Sequence, residues 1–128
     1  MNLKLQVLPG LFAVCRLSPD SPVPRWADGG SFVSLTRSAE ELSIVCPQAQ
    51  VPAGMLSEGS WRCFKVQGPL AFGLTGVLAS IVQPLAEAGI SLFAVSTYDT
   101  DYVLVKEEKL EESVRALSLA GHKILPAG

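Results

Sequence analysis

The sequence predicts an α+β fold, a ferredoxin-like arrangement whose elements follow the order β, α, β, β, α, β. Short apolar runs that alternate with period two, bounded by glycine or proline, are typical of strands and occur along the whole chain. Two segments of the second half, 77–85 and 110–117, instead space their apolar residues as one face of a helix does. With 128 residues, of which 48% are hydrophobic, the chain is long enough for one domain or for two half-size units.

The first half contains strand candidates and almost no helix. The candidates fall at residues 3–8, 11–17, 31–36 and 42–46. Pro19, Pro22 and Pro24 exclude regular structure from the loop before the third candidate, apart from one helical turn. A stretch of low apolar density at 48–60 then marks a domain boundary or a long connection.

The second half carries the complete pattern. Residues 61–66 alternate as a strand, and a glycine-bearing loop leads to Thr75, which we expect to cap the first helix. Pro84 weakens the last turns of that helix, and Gly89 ends it. The remaining elements are strands at 90–97 and 102–105, a second helix ended by Gly121, and a last strand at 122–125.

These patterns predict two tandem units with antiparallel sheets. The first, over 1–58, has the same sheet pattern with its helices reduced to loops, and the second, over 59–128, is complete.

Composition and charge exclude several classes of protein. Charged residues are 17% and the net charge is −2, which is typical of an ordinary globular chain rather than a disordered one. No basic stripe exists to follow a phosphate backbone, so we expect no nucleic-acid partner. No apolar run reaches the ~20 residues of a membrane span, and the first residues lack the apolar core of a signal peptide. We therefore expect a cytoplasmic protein without a membrane partner.

The cysteines and the histidine are expected to be structural. Cys15, Cys46 and Cys63 each lie in an apolar strand-like run, where a thiol packs as a small hydrophobic group. His122 begins the last strand, and no serine or cysteine stands in a nucleophile-elbow context that would need it as a general base.

The densest group of ligand-competent side chains lies at 95–105, which reads Val-Ser-Thr-Tyr-Asp-Thr-Asp-Tyr-Val-Leu-Val. Flanking strand candidates place its carboxylates and hydroxyls at the end of a hairpin. Asp99 and Asp101 can hold the amine of an amino acid, can coordinate a divalent metal, or can bond only their own backbone as turn residues do. The segment therefore indicates binding more than catalysis.

A glycine-bearing run at 68–76 precedes the first helix and suggests a binding site for a small anion. The first amides of a helix lack internal acceptors, and the helix dipole favours negative charge there. The run lacks the lysine and the glycine spacing of a phosphate-binding loop, so a nucleotide is not expected.

Three segments, 32–46, 68–78 and 96–105, resemble the small tandem ACT-domain proteins, which are similar to the regulatory tails of aspartate kinases and to the CASTOR arginine sensors. The resemblance covers nearly the full chain. It implies ferredoxin-like modules that bind amino acids where one domain's loop faces a neighbouring domain's strand. The chain has no kinase domain and is about half the length of the arginine sensors, so a complete set of paired domains implies a homodimer.

The resemblance also implies positions for the ligand. The family's first strand-to-helix loop falls on 72–77, where backbone groups would meet the α-carboxylate and α-amine at Leu74, Thr75, Gly76 and Val77. The end of the second strand would supply Ser96, Thr97, Tyr98, Asp99 and Asp101. Asp101 is the best match to the aspartate that accepts from the ligand's amine or cationic side chain, and Asp99 is the second.

The favoured function is a non-catalytic regulatory protein that binds an amino acid, needs no cofactor or metal, and shifts an inter-domain or dimer equilibrium. Its effector and the partner that it regulates are left open by the sequence. One alternative is an interaction module without a ligand, whose sheet edges and aromatic residues mediate dimerisation. Another is a small enzyme assisted by a metal at Asp99 and Asp101.

Overall fold

The structure is a computed structural model and describes residues 1–68, 70–71 and 74–127. Its elements along the chain are β1 (Lys4–Val7), β2 (Phe12–Leu17), β3 (Ser34–Arg37), β4 (Leu42–Pro47), β5 (Ser57–Val66), α1 (Val77–Glu87), β6 (Leu92–Ser96), β7 (Asp101–Lys106), α2 (Leu110–Leu119) and β8 (Lys123–Leu125). Short 3-10 helices cover Arg25–Ala27, Gln48–Gln50 and Glu107–Lys109. No helix among these described segments is long and apolar enough to cross a membrane.

The chain divides into two compact units. The split unit joins Met1–Pro9 to Arg62–Gly128, and the continuous unit is Gly10–Trp61. The cut near residue 61 lies close to the expected boundary between 58 and 59, but β1 groups with the C-terminal segment and not with the residues that follow it. That the two units are tandem ACT-like domains over 1–58 and 59–128 stays a prediction.

From β5 onward the split unit follows the order β, α, β, β, α, β, as predicted. Its strands lie side by side in the order β6, β7, β5, β1, β8. β1 runs antiparallel to β5 and parallel to β8, with Lys4 opposite Lys123. The sheet is therefore mixed, which differs from the wholly antiparallel sheet expected, because β1 inserts beside the last strand.

The two helices of the split unit bury one face each. Val77, Ile81 and Leu85 are the buried residues of α1, at the spacing of one helical face. They join one hydrophobic core with strand residues such as Leu5 and Val103.

The first helix begins one residue later than expected. Gly76, and not Thr75, is the residue before α1, with a φ of 81° that L side chains rarely adopt, and no side chain caps the helix there. Pro84 lies inside the helix, which nevertheless continues to Glu87.

His122 explains how α1 tolerates this proline. Pro84 has no N–H, so the carbonyl of Ser80, four residues earlier, lacks its usual helical donor. Nε2 of His122 lies 2.9 Å from that carbonyl oxygen, and Nδ1 lies 3.1 Å from the amide nitrogen of Leu3. Because Nδ1 accepts from the Leu3 N–H, Nε2 is the ring nitrogen that donates to the Ser80 carbonyl. The histidine is buried and hydrogen-bonded within the fold, in agreement with its predicted structural role.

The continuous unit is a sheet with its strands in the order β3, β4, β2, β5. Residues 10–61, all described, contain two of the 3-10 helices and no α-helix, which agrees with the expectation of a helix-poor unit. Buried Ala13, Cys15, Leu42, Ile44 and Cys46 form its core together with Ala27, and Trp26 packs against them.

All three cysteines are buried free thiols. Burial raises the pKa of Cys63 to about 12 and that of Cys46 to about 11, with a smaller contribution to Cys46 from neighbouring Cys15. Thiols of this kind are inert as nucleophiles at neutral pH, in agreement with their predicted structural role.

Candidate functional site

The polar cluster of the sequence forms a hairpin turn in the split unit. β6 and β7 pair in antiparallel register from Leu92 opposite Val105 to Ser96 opposite Asp101. The amide of Thr97 donates to the carbonyl of Thr100 at 2.8 Å, and the Thr97 hydroxyl donates to the same oxygen at 3.0 Å. The turn is therefore closed by its own hydroxyl and backbone groups, as threonine-containing turns commonly are.

Two further hydrogen bonds fix this turn to its surroundings. The buried hydroxyl of Thr100 donates to the carbonyl of Val66 in β5 at 2.8 Å. The amide of Leu70, in the loop that leads to α1, donates to the carbonyl of Asp99 at 2.8 Å. The hairpin turn and the loop before α1 thus become the two walls of one cleft.

This cleft has a volume of about 210 Å³. It is lined by Leu70, Ala71, Leu74, Val77, Ser96, Thr97, Tyr98, Asp99, Thr100 and Asp101. Of the predicted site residues, Thr75 and Gly76 are not part of this lining. Phe72, in the loop that the resemblance identified, lies outside the described residues.

The charge of the described lining is negative. Asp99 and Asp101 both face the cleft, and no lysine, arginine or histidine is among these lining residues. The hydroxyl of Ser96 donates to Oδ1 of Asp101 at 2.6 Å, which fixes one oxygen and leaves the second oxygen to accept from another donor. Burial raises the pKa of the Tyr102 phenol, and the nearby Cys63 and Asp99 raise it further.

The opposite wall ends at the start of α1. The first backbone bond of the helix runs from the amide of Ser80 to the carbonyl of Gly76 at 3.0 Å. The amides of residues 77–79 precede that bond and therefore have no acceptor within the helix. The amide of Leu74 donates to the carbonyl of Ala71 at 3.0 Å, so Leu74 contributes its half-exposed side chain to the cleft and not its N–H.

Three lining residues were missed from the sequence. Leu70 and Ala71 carry no ligand-competent side chains, and the amide of Leu70 bonds to the hairpin turn beside the cleft. Thr100 lies within the quoted hairpin segment, and its spacing of three residues from Thr97 is a turn signal that could have identified it.

The chemistry of this lining favours binding an amine. Among the described residues, no three or more histidine, cysteine or acidic side chains come together as metal ligands do. Two carboxylates on one wall and helix amides on the other can receive the ammonium and carboxylate of one small zwitterion.

Comparison with known families identifies both parts of the chain. A model of the ACT domain matches residues 56–118. A second model, described as an N-terminal domain, matches residues 10–54, which all fall in the continuous unit.

The curated relatives include amino-acid sensors. The chain is 30% identical over 98 residues to the cytosolic arginine sensor for mTORC1 subunit 1 of Bos taurus, with 68% of this chain and 30% of that protein covered. The human protein of the same name is 29% identical over 98 residues, with the same coverage. The match thus spans under a third of the arginine sensors' length.

Solved structures share the fold. A crystal structure of a protein from Agrobacterium tumefaciens superposes with a TM-score of 0.95 at 44% identity, covering 100% of this chain and 96% of that one. The ligand-free regulatory subunit of aspartate kinase from Thermus thermophilus superposes with a TM-score of 0.58 at 13% identity, covering 88% and 93%, which shows a common fold. The match over residues 56–118 shows that the chain contains an ACT domain and belongs, in that part, to the ACT-domain family.

Proposed function

We propose that this protein is a non-catalytic regulatory ACT protein that binds a free amino acid in the cleft of the split unit. The observation that carries the proposal is the cleft itself, which brings Asp99 and Asp101 to one wall and the first turn of α1 to the other. A relative named as an arginine sensor supports an amino acid as the class of ligand.

The charges suggest how the ligand lies. Its α-carboxylate would approach the start of α1, where Val77 lines the cleft with an amide that has no acceptor within the helix and where the helix dipole is positive. Its amine would approach Asp101, whose second carboxylate oxygen is available as an acceptor, with Asp99 adding negative potential. Leu70, Leu74 and Val77 would contact the apolar part of the ligand.

This arrangement selects by charge. The described lining residues carry two carboxylates and no cationic side chain, so an acidic ligand such as aspartate would be repelled. Neutral and basic amino acids are therefore the expected effectors.

Regulation would follow from where the ligand binds. We propose a cytoplasmic homodimer in which a domain or subunit junction forms around the occupied cleft and passes the signal to a partner protein. A ligand shifts such an equilibrium only by its preference for one arrangement, so the dimerisation constant should change by the same factor as the affinity.

Isothermal titration calorimetry with the standard amino acids tests the proposal. Asp101→Asn keeps the shape of the side chain and removes its charge, and it should weaken the affinity about 10-fold or more, since hydrogen bonds to charged groups contribute about 1.5–3 kcal/mol. Asp20→Asn, an exposed substitution in the continuous unit, is the matched control and should bind as the unaltered protein does. Equal affinity of both variants would show that Asp101 does not bind the ligand's amine.

A ligand-free interaction module is the second candidate. In the described sheet, β6 pairs only with β7 and β3 only with β4, so each is an edge that another chain can extend. This function predicts no saturable heat with any amino acid, together with a dimerisation constant that amino acids leave unchanged in sedimentation experiments.

A further inference from the structure

A second cleft, of about 280 Å³, opens on the sheet of the continuous unit and contains none of the predicted ligand residues. It is lined by Val14, Cys15, Arg16, Glu41, Ser43, Leu56, Ser57 and Glu58. Apart from the buried Cys15, these side chains are half-buried or exposed.

The register of three strands builds this cleft. Arg16 in β2 lies opposite Ser43 in β4, and its amide donates to the carbonyl of Leu56 at 3.1 Å. Directly paired residues of an antiparallel sheet share a face, so Leu56, Arg16 and Ser43 form a row across it. Val14 lies two residues before Arg16 on the same strand and points to the same side.

Charges of both signs stand around this row. A terminal nitrogen of Arg16 donates to the carbonyl of Glu40 at 2.9 Å, and the next residue, the half-buried Glu41, also lines the cleft. The hydrogen bonds of Glu41 in the described structure use its main chain: its carbonyl accepts from the Ser38 amide at 2.9 Å, and its amide donates to the Ser38 hydroxyl at 3.3 Å. Glu41 also lines the cleft, where its carboxylate can accept from a ligand.

The apolar part of the cleft comes from Val14 and Leu56. Leu56 is 68% exposed. Its apolar side chain therefore faces solvent in the same row as the polar residues Arg16 and Ser43. An apolar surface with a few polar groups fixed at its edge is the usual composition of a small-molecule site.

We propose that the continuous unit holds a second binding site, for a small zwitterion with an apolar body. Its carboxylate would pair with the Arg16 guanidinium, its ammonium with Glu41, and its apolar part with Val14 and Leu56, while Ser43 offers a hydroxyl. A phosphate ester is disfavoured because Glu41 adds negative charge, and a purely cationic amine is disfavoured by Arg16. This site goes beyond the proposed function, because it lies in the other unit and uses none of the same residues.

Two-dimensional amide NMR of the full ¹⁵N-labelled chain tests the proposal, with leucine, methionine and the other standard amino acids as probes at millimolar concentration. We expect saturable shifts at Val14, Arg16, Ser43 and residues 56–58 with at least one apolar amino acid. Arg16→Gln should reduce that affinity about 10-fold or more, because it removes the charge and the bidentate donors. Arg25→Gln, an exposed arginine of the same unit outside the cleft, should leave it unchanged.

A second variant separates binding from folding. Leu56→Glu changes an exposed side chain, so the fold should persist while the added carboxylate repels the ligand's own and removes the shifts. The proposal is overturned if residues 56–58 show no saturable shift with any probe, or if Arg16→Gln binds as tightly as Arg25→Gln. Saturable shifts confined to residues 96–101 would overturn it too, while supporting the proposed function of the first cleft.

Discussion

Thr100 is the residue on which the geometry of the first cleft depends most directly. Its hydroxyl holds the turn to Val66, and its carbonyl accepts two bonds from Thr97. Asp99 and Asp101 flank it in sequence, so a change in the position of Thr100 displaces both carboxylates. A glycine at position 68 leaves room for this contact, since a Cβ there would lie 3.4 Å from the Cβ of Thr100 and 3.3 Å from the carbonyl oxygen of Asp99.

We predict that Thr100→Val lowers the free energy of unfolding by about 1–3 kcal/mol, because it leaves the carbonyl of Val66 without its buried donor. Thr100→Ser, which keeps the hydroxyl, should recover most of that loss. Urea unfolding measures both variants, and calorimetry should show weaker amino-acid binding in Thr100→Val alone. Equal unfolding free energies for the two variants would show that the hydroxyl contributes nothing.

Because the Cys63 thiol is buried, the free energy of unfolding should depend on pH in the alkaline range. Its thiol has an ordinary pKa of 9.0 when unfolded and a pKa of about 12 in the folded state. A folded pKa above the unfolded one means that the stabilisation is complete below pH 9.0 and is lost as the pH rises toward 12. Cys46 and Tyr102, whose pKa values are also raised, act in the same direction.

We predict that the free energy of unfolding falls between pH about 8 and about 10.5, with a slope that approaches about 1.4 kcal/mol per pH unit for each such thiol. Cys63→Val removes one titrating group and should make that slope shallower, as measured by urea unfolding across the range. Cys46→Val is the matched comparison in the continuous unit and should make the slope shallower by about as much over this range, because both folded pKa values lie above it. An unchanged slope in Cys63→Val contradicts the assignment.

At the scale of single residues, the sequence could predict which site residues lie together only where those residues are close in the chain. Ser96, Thr97, Asp99 and Asp101 belong to one hairpin, so their proximity follows from the turn alone. Leu70 comes to the cleft through a contact with Asp99 that no local pattern encodes.

In helix α1, a hydrogen-bond donor that the helix lacks is supplied by a residue of another element. Pro84 removes a donor from α1, and His122, at the start of β8, supplies that donor to Ser80. The same ring accepts from the amide of Leu3, so one side chain serves a helix and the segment that leads into β1.

A double-mutant cycle tests this compensation. His122→Ala should lower the free energy of unfolding by about 2–3 kcal/mol, because two partly buried backbone groups lose their partner. In a Pro84→Ala background the loss should be about 1 kcal/mol smaller, because residue 84 then supplies its own N–H to Ser80. Urea unfolding of the four proteins gives the coupling energy, and additive effects would show that the proline and the histidine are independent.

At the scale of elements, the helices and most strands were predictable because their periods are local. The start of α1 was wrong by one residue, because Gly76, in a left-handed conformation, is the residue before the helix and no side chain caps it. The position of β1 was not predictable. Its alternation identifies a strand, but its parallel partner lies more than a hundred residues away, where composition carries no information on pairing.

For the whole molecule, the proposed function predicts stabilisation by a selective amino acid. A ligand at 100 times its dissociation constant adds about 2.7 kcal/mol, which is several degrees in Tm for a domain of this size. A thermal-shift panel should show this with neutral or basic amino acids of the L form and no shift with aspartate or glutamate. If no amino acid changes Tm, the ligand-free interaction module becomes the favoured function.

The division into units could be predicted only in part. The change in composition near residue 60 indicates a boundary, and the structure places a cut there. The second cut, after Pro9, has no compositional signal, because β1 and β2 are separated by a short turn of the kind that normally joins neighbouring strands.

The insertion of β1 between β5 and β8 has a consequence for synthesis on the ribosome. β1 finds its parallel partner at Lys123–Leu125, more than a hundred residues later in the chain, so one edge of β1 stays unpaired until those residues have been translated. Gly10–Trp61, by contrast, contains both members of each of its own strand pairs well before that point. Nascent chains stalled after Gly121 should therefore expose an open strand edge, the feature by which chaperones and neighbouring nascent chains capture incomplete sheets.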